Sequence, residues 1–228
     1  IFPPFHSVAS APGAIFVQTE DGLGEINCKK FPLAHSLAEV LAELTALRDE
    51  QHDFQTVVVD SADWLERLIF DEVCREYGVR NIEKADGGYG RGYTHALTHW
   101  RKVINLLQEL RDKRGMMVIL VAHAKVERFE DPENAAYDRY TPRLHKHAAS
   151  LIAEWVDAVL FANKKFRVTK ENDRAIAAPI GSDGGERIIR TVGSPACIAK
   201  NRYGLPAEIP LSWQAFIDAY SKIEEQNK

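Results

Sequence analysis

A chain of 228 residues with 45% hydrophobic and 27% charged residues can bury a full core, most simply as one domain spanning residues 1–228. Its net charge of −4 excludes a global attraction to nucleic acid, so any polyanion site has to be a local patch. Cys28, Cys74 and Cys197 lack metal-ligand spacing and read as reduced thiols of a cytoplasm, the longest apolar run is too short to span a membrane, and no signal peptide is seen.

The chain opens on Ile1 rather than Met, and an incomplete or processed N-terminus is expected. Ile1–Pro12 is too short and broken for a full element. Ala14–Thr19 reads as a strand ending in Glu20. Ser36–Asp49 carries Leu37, Val40, Leu41, Leu44 and Leu47 at helical spacing. Thr56–Val59 is a β-branched run without alternation, the pattern of a strand buried on both faces in a parallel sheet. It runs into Asp60 and Ser61. Trp64–Tyr77 is an amphipathic helix stopped by Gly78. Asp86–Tyr93, DGGYGRGY, reads as a mobile loop because of its four glycines. Thr94–Arg114 is a long helix. Met116–Ala122 is a fully apolar strand that ends in His123.

Ala124–His147 is charged and weakly periodic, so a long functional connection is expected. Ser150–Trp155 predicts a short helix and Ala158–Ala162 a strand. Phe166–Thr169 and Glu186–Thr191 read as a hairpin pair, with Ser182-Asp183-Gly184-Gly185 leading into the second. Glu208–Leu211 is strand-like, and the tail, 213–228, holds a helix over Trp213–Ile223. Strands alternating with helices and followed by late hairpins predict an α/β fold. Its sheet is mostly parallel, flanked by helices, with antiparallel strands at its C-terminal edge.

Three apolar strands end in residues of catalytic type: Glu20, Asp60 and His123. In a parallel sheet the C-terminal strand ends share one edge, where open α/β sheets bind ligands. One carboxylate there can activate a water and another can hold a metal. Each also has a plainer reading: Asp60 and Glu20 as helix caps, His123 as a half-buried histidine.

FVQTEDGL, VVVDSADWL and VILVAHAKV, in this order, resemble the second strand, Walker B strand and sensor strand of RecA-like ATPases. The closer resemblance is to phage-encoded nucleotide-binding proteins of the AAA/RecA type, a group that includes RecA-like single-strand-annealing recombinases. GYGRGY, HAKV and YDRYTPRLHKHAASLIAEWVDAVLFA extend it over most of the chain. The resemblance implies a RecA-like P-loop NTPase fold, with ATP and Mg²⁺ as cofactors. Glu20 falls on the water-activating Glu. Asp60, with Ser61, falls on the Walker B position that binds nucleotide and Mg²⁺, and His123 on the sensor. AKNRYGLP resembles the Lys-x-Arg element of hexameric helicases, which implies that Lys200 and Arg202 reach a neighbouring subunit's nucleotide in a head-to-tail ring or filament. A basic turn is the plainer reading.

The resemblance also implies two DNA-facing loops. One carries Tyr89, Arg91 and Tyr93. The other carries Lys125, Arg128, Arg139, Arg143 and Lys146. Aromatic and cationic residues suit stacking and phosphate contact with single-stranded DNA, although the acids mixed into the second loop would also suit a solvated surface. The departure is the phosphate grip. A Walker A loop needs GxxxxGK[ST], and no Gly-Lys-Ser/Thr occurs here. Pro3 and Pro4 stand near the expected place and have no N–H to donate. A truncated first strand and weak ATP binding are therefore expected. The implied function is that of an ATP-binding phage recombination protein of a bacterial cytoplasm. The rivals are a non-catalytic DNA-binding or assembly module, and a packaging or helicase-loading ATPase.

Overall fold

The computed structural model describes residues 8–171, 174–180 and 185–226. Within these the chain divides into two compact units, one built from Val8–Lys125 with Pro142–Leu151, the other from Val126–Thr141 with the chain after Ile152.

The first unit holds a four-stranded parallel sheet in the order β2-β1-β3-β4. Its strands are β1 (Ala14–Gln18), β2 (Lys29–Leu33), β3 (Thr56–Asp60) and β4 (Met117–Val121). Every residue of β3 is buried, as its unbroken Val57-Val58-Val59 run requires between two neighbours. Strand β2, with Lys29 and Lys30 exposed, has no apolar run and was not foreseen. Strand β4 is as apolar as β3, yet its residues are only half-buried and Met117 is 41% exposed. The reason is its place: among the described residues it pairs with β3 alone and forms the sheet edge.

Helix α1 (Leu37–Asp49) buries Leu37, Val40, Leu44 and Leu47. Its start is set by Ser36, whose hydroxyl accepts the Glu39 N–H, while the Glu39 carboxylate accepts the His35 N–H. Helix α2 (Ala62–Glu76) follows β3 directly and buries Leu65, Ile69 and Val73 along with two acids, Asp63 and Glu66. Helix α3 (Arg91–Arg114) buries Trp100, Val103, Ile104, Leu107 and Leu110, and Gly115 closes it at φ 65°.

The glycine-rich stretch is not the mobile loop that its composition predicts. A short 3₁₀ element spans Ile82–Gly87, and Arg91, Gly92 and Tyr93 already lie in the first turn of α3. Asp86, Gly87, Gly88, Tyr89 and Gly90 all have positive φ, which explains the glycines as a conformational need. Gly92 has a different reason: a Cβ there would lie 2.1 Å from the Ile82 carbonyl oxygen.

The segment after β4 is likewise more ordered than expected. Strands β5 (Ala124–Phe129) and β6 (Tyr137–Pro142) pair with each other, and α4 (Lys146–Trp155) starts four residues earlier than the sequence suggests. Most of this pair belongs to the second unit, which is otherwise built from small antiparallel sheets. There β8 (Phe161–Lys164) and β13 (Glu208–Pro210) flank β11 (Arg187–Arg190), and β7 (Ala158–Val159) pairs with β12 (Lys200–Asn201). Strand β9 (Phe166–Glu171) pairs with β10 (Arg174–Pro179), not with β11 as expected, because β10 immediately follows it in the chain. The antiparallel strands thus form sheets of their own instead of an edge of the parallel sheet. Helix α5 (Trp213–Gln226) ends the described chain. The Ser182-Asp183-Gly184 turn and the Pro3-Pro4 segment lie outside the described residues.

The close approach at Gly92 is testable. Gly92→Ala is expected to lower stability by about 1–3 kcal/mol, the range for overpacking. Gly22→Ala, with nothing near its added Cβ, serves as the neutral control. Urea unfolding of the two variants checks this.

Candidate functional site

Parallel pairing puts the ends of β1, β3 and β4 side by side: Gln18 is in register with Asp60, and Asp60 with Val121. The three expected residues follow from that edge. The Thr19 N–H donates to the Asp60 carbonyl at 2.8 Å, and the Thr19 hydroxyl donates to the Ser61 carbonyl at 2.7 Å. These bonds fasten the end of β1 to the end of β3 and set Glu20 beside Asp60.

Asp60 is fully buried, and neither of its carboxylate oxygens has a hydrogen-bond partner. The Ser61 hydroxyl and one Glu20 oxygen are buried and unpartnered as well. Burial pushes the Asp60 carboxyl up to about 7; Glu20 and Asp63 push the same way, and His123 works against them. Buried polar groups are ordinarily bonded, so this cluster calls for a cation. Among the described residues no three His, Cys, Asp or Glu side chains could hold a metal by themselves. Mg²⁺ is commonly held by one or two carboxylates, with waters and phosphate oxygens in its other positions. Asp60 would be the residue to hold it, with Ser61 next to it.

His123 is held by Asp63, at the start of α2. The His123 N–H donates to Asp63 Oδ1 at 3.0 Å, and its ring Nδ1 lies 3.1 Å from Asp63 Oδ2. Glu20 Oε1 lies 3.8 Å from the same ring nitrogen. The Arg143 N–H donates to the His123 carbonyl, and the Arg143 side chain reaches to 4.0 Å from Asp63. One turn along α2, Glu66 accepts the His145 N–H at 2.8 Å. Asp63, Glu66 and His145 were not singled out from sequence. The available signal was a pair of acids three residues apart on the apolar side of α2.

Tyr89, Arg91, Tyr93 and Lys146 come together in the first unit, around a shallow cleft of about 390 Å³. Lys125 also belongs to this unit, and its ammonium donates to the Leu144 carbonyl. Arg128 and Arg139 belong to the other unit. Arg128 pairs with Asp138 at 3.6 Å, and Arg139 stacks over Phe129 at 3.8 Å.

Lys200 and Arg202 lie near the end of α4. The Lys200 ammonium donates to the carbonyls of Ala153, Glu154 and Val156 at 2.7–3.0 Å, a C-terminal helix cap. Arg202, more than half exposed, pairs with Asp157 at 3.1 Å. Lys200 thus has a structural task within its own chain, and Arg202 keeps an exposed guanidinium.

A sequence profile described as an AAA domain matches residues 6–203. The chain belongs to the AAA domain family. That family binds nucleotide, usually with Mg²⁺, in keeping with the unpartnered Asp60 carboxylate. This AAA domain is also similar to an SPbeta prophage-derived uncharacterized protein, YorG, of Bacillus subtilis (strain 168), at 25% identity over 151 residues. The match covers 64% of the chain but only 43% of that relative's length. No solved structure gives a significant match.

Two outcomes are expected. Because the Asp60 carboxyl is raised in the folded state, folding takes up a proton, and stability falls as pH rises from about 4 to about 7. Asp60→Asn removes that dependence. Its stability gain over the parent should grow by roughly 3 kcal/mol between pH 5 and pH 8, at about 1.4 kcal/mol per pH unit. Denaturant titrations at the two pH values without Mg²⁺ measure it. Separately, Lys200→Met should lower stability by about 1–3 kcal/mol, because three carbonyls lose a charged donor.

Proposed function

We propose that this AAA domain is the nucleotide-dependent core of a phage protein that handles single-stranded DNA in recombination. The observation that carries the reading is Asp60: a fully buried carboxylate at the C-terminal end of the central strand, with both oxygens unpartnered. Glu20 and His123 stand on the neighbouring strand ends. In this reading Asp60 would hold Mg²⁺, which would neutralise phosphate charge, while Glu20 would orient the attacking water and His123, held by Asp63, would sense the terminal phosphate. The prophage origin of the relative supports the phage assignment, and the aromatic and basic residues around Tyr89 and Lys146 support DNA as the partner. The assembly is a head-to-tail homo-oligomer in which Arg202 reaches the nucleotide of the next subunit.

No Gly-Lys-Ser/Thr stands in the chain, so Mg²⁺-ATP is expected to bind no tighter than about 1 mM, roughly −4 kcal/mol. Calorimetric titration reads this, and micromolar affinity would overturn it. When a Gly-Lys-Thr loop is grafted ahead of Phe5, Glu20→Gln should abolish turnover while ATP stays bound. In that same background, mixing Arg202→Ala subunits with Glu20→Gln subunits should restore activity, since some interfaces then carry both intact residues. Mixed oligomers without recovery would confine Arg202 to its own chain.

A further inference from the structure

Two helices of the first unit begin at the same cleft, and both begin unusually. Helix α3 starts at Arg91 behind Gly90, with no side-chain cap and no acid in its first turn. Helix α4 starts with Lys146 and His147, again with no acid in its first turn. Helix N-termini carry partial positive charge and favour acids and Ser, Thr, Asp or Asn caps. Basic residues at two such ends are unfavourable until an anion joins them. Among the described residues no acidic side chain lines the cleft. His145, at its floor, has its pKa lowered by burial and then by His147, Lys146 and Lys125, a cluster of like charge.

The remaining wall is aromatic. The Tyr93 ring lies flat on His145, with centroids 4.1 Å apart and planes within 2°, and Phe70 braces Tyr93 edge-on at 5.5 Å. Tyr89 lines the cleft as a residue 99% exposed, on a backbone at φ 53° that non-glycine residues seldom adopt. Such a residue is held out in solvent by the turn around it. An exposed ring beside a cationic cleft suits a base stacked next to its phosphate.

We infer that this cleft is a phosphate site that seats one backbone phosphate of single-stranded DNA between Arg91, Lys146 and His147, with the adjoining base stacked on Tyr89. His145 and His147 are thereby added to the DNA surface. The inference rests on the proposal that the partner is single-stranded DNA.

The test uses the whole chain and a labelled oligothymidylate in fluorescence anisotropy, at several salt concentrations. Lys146→Glu together with His147→Gln should weaken binding at least about tenfold, the effect of losing charge-assisted contacts. It should also flatten the salt slope by about one phosphate's worth. The same change should raise Tm, because an acid at a helix N-terminus is favourable, so weaker binding cannot be blamed on unfolding. Tyr89→Ala should weaken the thymidylate but leave an abasic oligonucleotide unchanged. If the parent binds and the Lys146/His147 variant binds equally well, the cleft assignment is overturned while the DNA reading stands. If no oligonucleotide binds, the DNA reading fails, and titration with inorganic phosphate followed by the imidazole proton resonances decides the cleft. Shifts confined to His145 and His147 would support a phosphate site whose ligand is a small molecule. Their absence would overturn it.

Discussion

The first unit depends on one constraint: a carboxylate that is buried without a partner. Asp60 stands at the end of a strand with neighbours on both sides, so water cannot reach it, and the protein supplies no donor to either oxygen. A buried polar group in that condition is destabilising until something binds it. The neighbouring acids, Glu20 and Asp63, raise its proton affinity further. A divalent cation with its own water and phosphate ligands would relieve both effects. A site that opposes folding when empty is arranged for a ligand, and membership of a nucleotide-binding family gives that ligand its chemistry.

Helix α2 connects this site to the cleft. Asp63 and Glu66 lie one turn apart on its buried side, and each accepts a backbone N–H from another segment, Asp63 from His123 and Glu66 from His145. Between them Arg143 bonds to the His123 carbonyl. These bonds tie the strand edge and the residues that open α4 to one face of α2.

The glycine-rich stretch shows how composition can mislead. Four glycines in eight residues resemble a flexible linker. Here they serve a run of positive-φ residues and a close contact of Gly92 with the Ile82 carbonyl, and so deliver Tyr89 and Arg91 to a fixed place at the start of α3. The basic start of α4 was hidden for a related reason. Its first residues, Lys146 and His147, lack the apolar spacing that marks a helix, so the helix was read as beginning at Ser150.

Local patterns in the sequence determined strands β1, β3 and β4 of the parallel layer and the three residues at their ends. A run of valines needs two strand neighbours, helical spacing of leucines needs a sheet to cover, and C-terminal strand ends share one edge. These are properties of nearest neighbours along the chain and of the strand period. What only the tertiary structure decided lies between distant segments. That Asp60 is left unpartnered follows from its burial, and that Asp63 holds His123 and Lys200 caps α4 depends on contacts over some 40 to 60 positions. The pairing of β9 with β10 and the meeting of two basic helix ends at one cleft belong to the same class. No periodicity records them, because hydrogen bonds and charge are satisfied in space by whichever group the fold brings near, and side-chain type alone does not name that group.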